Sequence, residues 1–134
     1  MYEGLLDDLK DAGVLVADGR LERFLTVGYG STLDFPPPEQ VLIDGLRRYA
    51  SPEFRALTNT WLVLNTNPAA GNGGGAQGDS GGPVFWFAPS GEPVLVALHS
   101  HSDVQRLSLN KDYRLDTAPA LGFIDFVIEL VEGE

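Results

Sequence analysis

Gly78-Asp79-Ser80-Gly81-Gly82-Pro83 runs directly into the apolar stretch Val84-Phe85-Trp86-Phe87-Ala88. Three glycines surround one serine, and the proline starts a segment rich in β-formers. Lacking Cβ atoms, Gly78, Gly81 and Gly82 let the backbone turn sharply and aim N–H groups at one point beside the Ser80 hydroxyl. A serine hydroxyl is a weak nucleophile at neutral pH and needs a base. The acyl oxygen formed on it needs hydrogen-bond donors already in place. A tight glycine turn feeding a strand is the plainer reading of such a loop, but the complete hexapeptide favours a nucleophile loop.

Downstream of it, Val84–Phe87 and Val94–His99 read as strands joined by Ala88-Pro89-Ser90-Gly91-Glu92-Pro93, a hairpin signature. After a polar loop, Tyr113–Thr117 predicts a last short strand. Residues 120–132, with Leu121, Ile124, Phe126, Val127, Ile128 and Val131, predict a helix with a broad apolar face. Upstream, residues 54–64 predict one strand. The stretch 67–75 is too rich in glycine to form an element and reads as a mobile pocket wall. Residues 40–49 are ambiguous between a short helix and a strand, and Ser51-Pro52 separates them from the strand candidate at 54–64. Phe35-Pro36-Pro37-Pro38 makes 31–40 a loop, and Leu21–Tyr29 predicts a strand. Leu5, Leu6 and Leu9 predict a short amphipathic helix over 3–12 that stops at Gly13. Short strands followed by one terminal helix predict an all-β antiparallel barrel.

The chain has 134 residues, enough for one domain with a real core. Nineteen acidic against nine basic residues give a formal net charge of −10, which repels phosphate backbones and argues against a nucleic-acid partner. No apolar stretch approaches the ~20 residues that span a bilayer, so no membrane partner is expected. The start, Met1-Tyr2-Glu3-Gly4, predicts no secretory signal, and the compartment stays open. With no cysteine there is no disulfide, thiolate metal site or thiol nucleophile.

Two other chemistries bear on these residues. Gly78-Asp79-Ser80-Gly81-Gly82 fits the G-x-S-x-G pattern of α/β-hydrolases, but there the turn leads into a helix, whereas Pro83 leads into a β-rich run. His99, His101 and Asp103 alternate, and alternate strand residues share a face, so they could offer a zinc site. That segment resembles the start of the metallo-β-lactamase motif H-x-H-x-D-H, and the match stops at Val104.

The hexapeptide resembles the active-site serine loop of the trypsin/chymotrypsin-like serine endopeptidases. Phe24-Leu25-Thr26-Val27-Gly28-Tyr29-Gly30-Ser31 resembles the strand that opens the second β-barrel of that family. Leu95–Ser102 resembles the strand lining its substrate cleft, and Tyr113-Arg114-Leu115-Asp116 before a final helix resembles its C-terminal ending. The resemblance implies a six-stranded antiparallel second barrel over 21–134 with a C-terminal helix. Residues 1–20 would form a short helix and inter-barrel connection. It further implies a serine-type endopeptidase acting on a polypeptide substrate through an acyl-enzyme at Ser80, with no cofactor and no metal.

By the same resemblance the N–H groups of Gly78 and Ser80 form the oxyanion hole. Asp79 matches the acid that pairs with a newly freed chain-terminal ammonium. Gly74, Gly75, Ala76 and Gln77 line the substrate pocket, and Ser100, His101 and Ser102 form the edge on which a substrate strand lies. Gly74 stands where trypsins carry a selecting acid, which implies a neutral pocket. His101 stands where the family has an aromatic residue, and Ser102 where it has glycine. The family draws its catalytic histidine and aspartate from a first barrel upstream, and no histidine precedes Ser80 here. The expectation is therefore a C-terminal half of a longer endopeptidase, of a kind typically secreted. The alternative is a barrel that binds a peptide or partner without cutting it. Apolar surface where the first barrel would dock predicts self-association.

Overall fold

The computed structural model describes residues 1–17, 22–32, 43–103 and 108–133. Helix α1 (Leu5–Asp11) precedes strands β1 (Phe24–Gly28), β2 (Arg48–Ala50), β3 (Glu53–Leu57), β4 (Trp61–Asn65), β5 (Pro83–Phe87), β6 (Pro93–Ser102) and β7 (Leu109–Arg114). Helix α2 (Ala118–Glu132) ends the chain. All seven strands form one antiparallel sheet in the order β2-β1-β5-β6-β7-β4-β3. The sheet curls until its far edge returns to the start of β1. There Phe24 N–H donates to the Pro52 carbonyl (3.0 Å) and Phe54 N–H to the Glu22 carbonyl (3.1 Å), around an Arg23–Glu53 bridge.

Mostly β architecture with a C-terminal helix is thus as expected, but the strands number seven rather than six among the described residues. Pro52 has no N–H to give a ladder and divides one bent segment into β2, which pairs with β1, and β3, which pairs with β4. The single strand expected over 54–64 is a hairpin, β3 and β4. Its turn forms because the Thr58 hydroxyl accepts from the Trp61 N–H at 2.9 Å. Threonine has strand propensity, but its hydroxyl can also close a turn on its own backbone, and here the second tendency wins. Within 67–75, read as elementless, Pro68–Ala70 forms one 3₁₀ turn because the Asn67 side chain accepts from Ala69 N–H. The last strand occupies 109–114 instead of 113–117, since Thr117 is spent capping α2 through Ala120 N–H. Of the ambiguous 40–49, residues 48–49 begin β2. The loop expected over 31–40 lies outside the described residues from position 33 onward.

Alternation along the strands sends Phe24, Leu62, Leu64, Val84, Trp86 and Val96 into one core, joined by Leu5 and Leu6 from α1 and by Leu15. Each such side chain contributes about 1.5–3 kcal/mol on burial. Helix α1 is held against the barrel by Asp116, whose carbonyl accepts from Gly4 N–H and whose carboxylate accepts from Leu6 N–H, both at 2.8 Å. Leu5, Leu6 and Leu15 therefore make α1 and the residues just after it part of the core.

Helix α2 buries only Ala120. Phe123 is 68% exposed, and Phe126, Ile128, Leu130 and Val131 also face outward, so the apolar face expected from the sequence is present but uncovered. Phe126→Ser and Val131→Ser are accordingly expected to leave the unfolding free energy within about 0.5 kcal/mol of the parent, as for ordinary surface positions. Urea denaturation checks this, and a loss above about 2 kcal/mol would mean that the face is packed in solution.

Candidate functional site

The serine loop leads into β5 and crosses the end of β6. Gly78 (φ 97°) and Gly81 (φ 81°) adopt left-handed backbone conformations that strain any residue with a Cβ, which is why glycine brackets the Asp79-Ser80 pair. Gly81 N–H donates to the His99 carbonyl (2.7 Å), and His99 N–H donates to the Gly82 carbonyl (2.9 Å), fixing the loop to β6. Ser31 N–H donates to the Gln77 carbonyl (2.8 Å) on the other side.

Ser80 is exposed, and its hydroxyl points at the Ser100 carbonyl 3.5 Å away, at the limit of a hydrogen bond. Among the described residues, neither the Gly78 nor the Ser80 N–H has a hydrogen-bond partner. These are the two amides that the resemblance singles out as oxyanion donors, and neither of them is spent on the sheet.

Strand β5 begins at Pro83, opposite Leu98, while β6 continues to Ser102. Among the described residues, His101 and Ser102 therefore pair with β7 on one side and with no strand on the other, while Ser100 is the bulge residue and has no register partner. A segment with one free edge can accept an extended chain as an added strand. Beside it stand Gly74 and Gly75. A Cβ on Gly74 would run into Thr66, and one on Gly75 into the His99 ring, so both positions require glycine by close approach. The Ser102 hydroxyl lies 3.0 Å from the Gly75 carbonyl and 3.2 Å from Asn110 Oδ1, tying this wall to β6 and β7. Ala76 and Gln77 act through their backbones, on Asp79 and Ser31.

The three candidate metal ligands are engaged separately. A bulge between His99 and His101 sets two β6 residues against one on β7, so His99 faces buried Asp112 while His101 faces exposed Lys111. The alternation that would have put both imidazoles on one face is broken there. His101 packs edge-on against Trp61 at 5.3 Å between ring centres, and Asp103 accepts from the Ser108 hydroxyl at 2.9 Å. No group of three or more His, Cys, Asp or Glu among the described residues is arranged to hold a metal ion.

His99 is itself a buried side chain, with Nδ1 2.8 Å from Asp112 Oδ1 and the far edge of the ring under Gly75. It makes no hydrogen bond to Ser80. The pair was not foreseen, although Asn110, Asp112, Arg114 and Asp116 recur at a spacing of two, the signature of a strand with a polar inner face. Asp112 Oδ2 is buried without a partner. Burial pushes the Asp112 carboxyl pKa above its ordinary 3.8, and the hydrogen bond from His99, helped by charge on His99 and His101, pulls it part of the way back. Above pH 3.8 the folded state holds this proton more tightly than the unfolded chain, so the group's contribution to stability declines as pH rises through that window. Asp112→Asn removes the titration. The unfolding free energy of the parent minus that of the variant is therefore expected to fall as pH rises above 3.8. A difference that rises with pH would show that the pairing with His99 outweighs burial.

The chain matches no protein-family model and no curated protein.

Proposed function

We propose that this chain is the nucleophile-bearing barrel of a trypsin-like serine endopeptidase. In this reading Ser80 attacks the scissile carbonyl and the N–H groups of Gly78 and Ser80 receive the resulting oxyanion. The substrate backbone lies along Ser100, His101 and Ser102, and the segment Gly74–Gln77 borders its side chain. The single observation that carries the reading is the pair of uncommitted amides flanking an exposed serine on a loop otherwise fixed by hydrogen bonds. Oxyanion donors act by being in place before charge develops, so amides free of the sheet are what such a site needs.

A general base has to come from outside the described residues. His99 is turned to Asp112 and His101 to Trp61. A first barrel supplying histidine and aspartate completes the site in this proposal, and α2, with its uncovered apolar face, is where we place its contact. The second reading, a barrel that holds an extended peptide without cutting it, is favoured by the same missing imidazole.

A fluorophosphonate probe separates the two. The chain would be produced alone and joined to whatever the same reading frame encodes before Met1, each with a Ser80→Ala control. Labelling that maps to Ser80 in the longer product and disappears in the control supports the endopeptidase. No labelling of Ser80 in either product would overturn it in favour of the binding module.

A further inference from the structure

Asp79 sits where the resemblance places an acid that waits for a chain-terminal ammonium, yet both of its oxygens already have donors from this chain. Oδ1 accepts from Gly30 N–H at 2.7 Å and Oδ2 from Ala76 N–H at 2.8 Å. The main chain of the same residue closes the loop, with Asp79 N–H donating to the Ala76 carbonyl (3.0 Å) and Gly82 N–H to the Asp79 carbonyl (2.9 Å). Gly28 and Gly30 are glycines because of this carboxylate. A Cβ on Gly30 would stand 2.5 Å from Asp79 Cγ, and one on Gly28 would overlap Oδ1. One side chain thus joins the exit of β1, the pocket wall at Ala76 and the residue next to the nucleophile.

We infer that Asp79 is a positioning residue that assembles the Ser80 loop from the chain's own amides, so that the loop takes its working shape without a liberated amino terminus. The inference rests on the proposed function for the meaning of "working shape", but the clamp itself stands on those four hydrogen bonds. Hydrogen bonds to an ionised acceptor are shorter and about twice as strong as neutral ones, and two of them converge here. A cavity of about 220 Å³ borders the clamp, lined by Gly28, Gly30, Thr32, Arg48, Gly74 and Asp79. An apolar amino terminus seated there would have to compete with the Gly30 and Ala76 amides for the carboxylate.

The test is amide hydrogen exchange and proton chemical shift in the purified chain, with unfolding free energy measured in parallel. In the parent, the Gly30 and Ala76 amide protons should resonate downfield, as donors to a carboxylate. Asp79→Ala should remove both shifts and speed exchange at Gly82 at least tenfold, and Asp79→Asn, which keeps one acceptor oxygen, should restore one shift but not the other. Gly30→Ala, which crowds the carboxylate without removing it, provides the same readout if the alanine variant at 79 does not fold. A short peptide with a free apolar amino terminus should leave parent exchange within twofold, the same as its acetylated form. Exchange unchanged in Asp79→Ala and Gly30→Ala would overturn the clamp. Tenfold slowing by the free peptide and not by the acetylated one would overturn the independence from an amino terminus. Failure of Ser80 to label leaves these shifts untouched, so the proposed function and the clamp can fail separately.

Discussion

Asp116→Ala is expected to lower the unfolding free energy by about 3–5 kcal/mol, the loss typical of breaking a buried ion pair from one side. Asp116 is fully buried; its Oδ1 accepts from Arg114 Nε (2.9 Å), and its Oδ2 accepts from an Arg114 terminal nitrogen (2.9 Å) and from Leu6 N–H (2.8 Å). The Arg114 side chain is only 3% exposed, and its remaining carboxylate partner, Asp7, lies mostly in solvent. Burial alone would lower the Arg114 pKa, but the hydrogen bonds to Asp116 and Asp7 more than reverse this, so the group stays charged. Removing the Asp116 carboxylate leaves that charge half-paired in the interior and strands the Leu6 amide, one of the two that tie the start of α1 to Asp116. Because a domain of this size has about 5–15 kcal/mol in total, the variant is expected to be near the limit of folding. Asp116→Asn keeps the shape and one acceptor and should lose less, about 1–3 kcal/mol. Guanidinium denaturation reads both, and equal small losses would place the anchoring of α1 elsewhere.

The second large effect is kinetic. An imidazole placed within about 2.6–3.2 Å of the Ser80 hydroxyl is expected to speed acylation by on the order of 10²–10⁴, the usual contribution of a positioned general base. Both imidazoles of the chain are committed to other partners. The rates to compare are therefore those of the chain alone, of the product extended upstream of Met1, and of that product with its upstream histidines replaced one at a time by alanine. Phosphonylation rates at Ser80 should separate into fast and slow groups, with one replacement accounting for the difference. Equal rates throughout would mean that Ser80 is not activated by a base.

The residues of the serine loop were legible in the sequence because glycines at that spacing mark backbone that a Cβ would obstruct, and the hairpin after it because prolines and a glycine mark both ends. The final helix was legible as an element, though not its exposure. Whether an apolar face is covered depends on what lies beside it, and no local pattern encodes that. The strand count was misread at Thr58, which sits inside a β-rich stretch where one hydroxyl oxygen, by closing a turn, outweighs the propensity of its neighbours. The break expected at Ser51-Pro52 is present, between β2 and β3. The alternation argument for a metal site failed because a bulge adds one residue between His99 and His101, and bulges leave little trace in composition. The Asp79 clamp and the His99–Asp112 pair join residues 49 and 13 positions apart, so only the folded chain brings them together.

The most direct measurement is a crystal structure of the chain carrying a phosphonyl group on Ser80. The phosphonyl oxygen should lie about 2.7–3.1 Å from the N–H groups of both Gly78 and Ser80, the distance an oxyanion donor requires. An adduct oxygen turned to solvent, with either amide bonded to another part of the chain, would contradict the account.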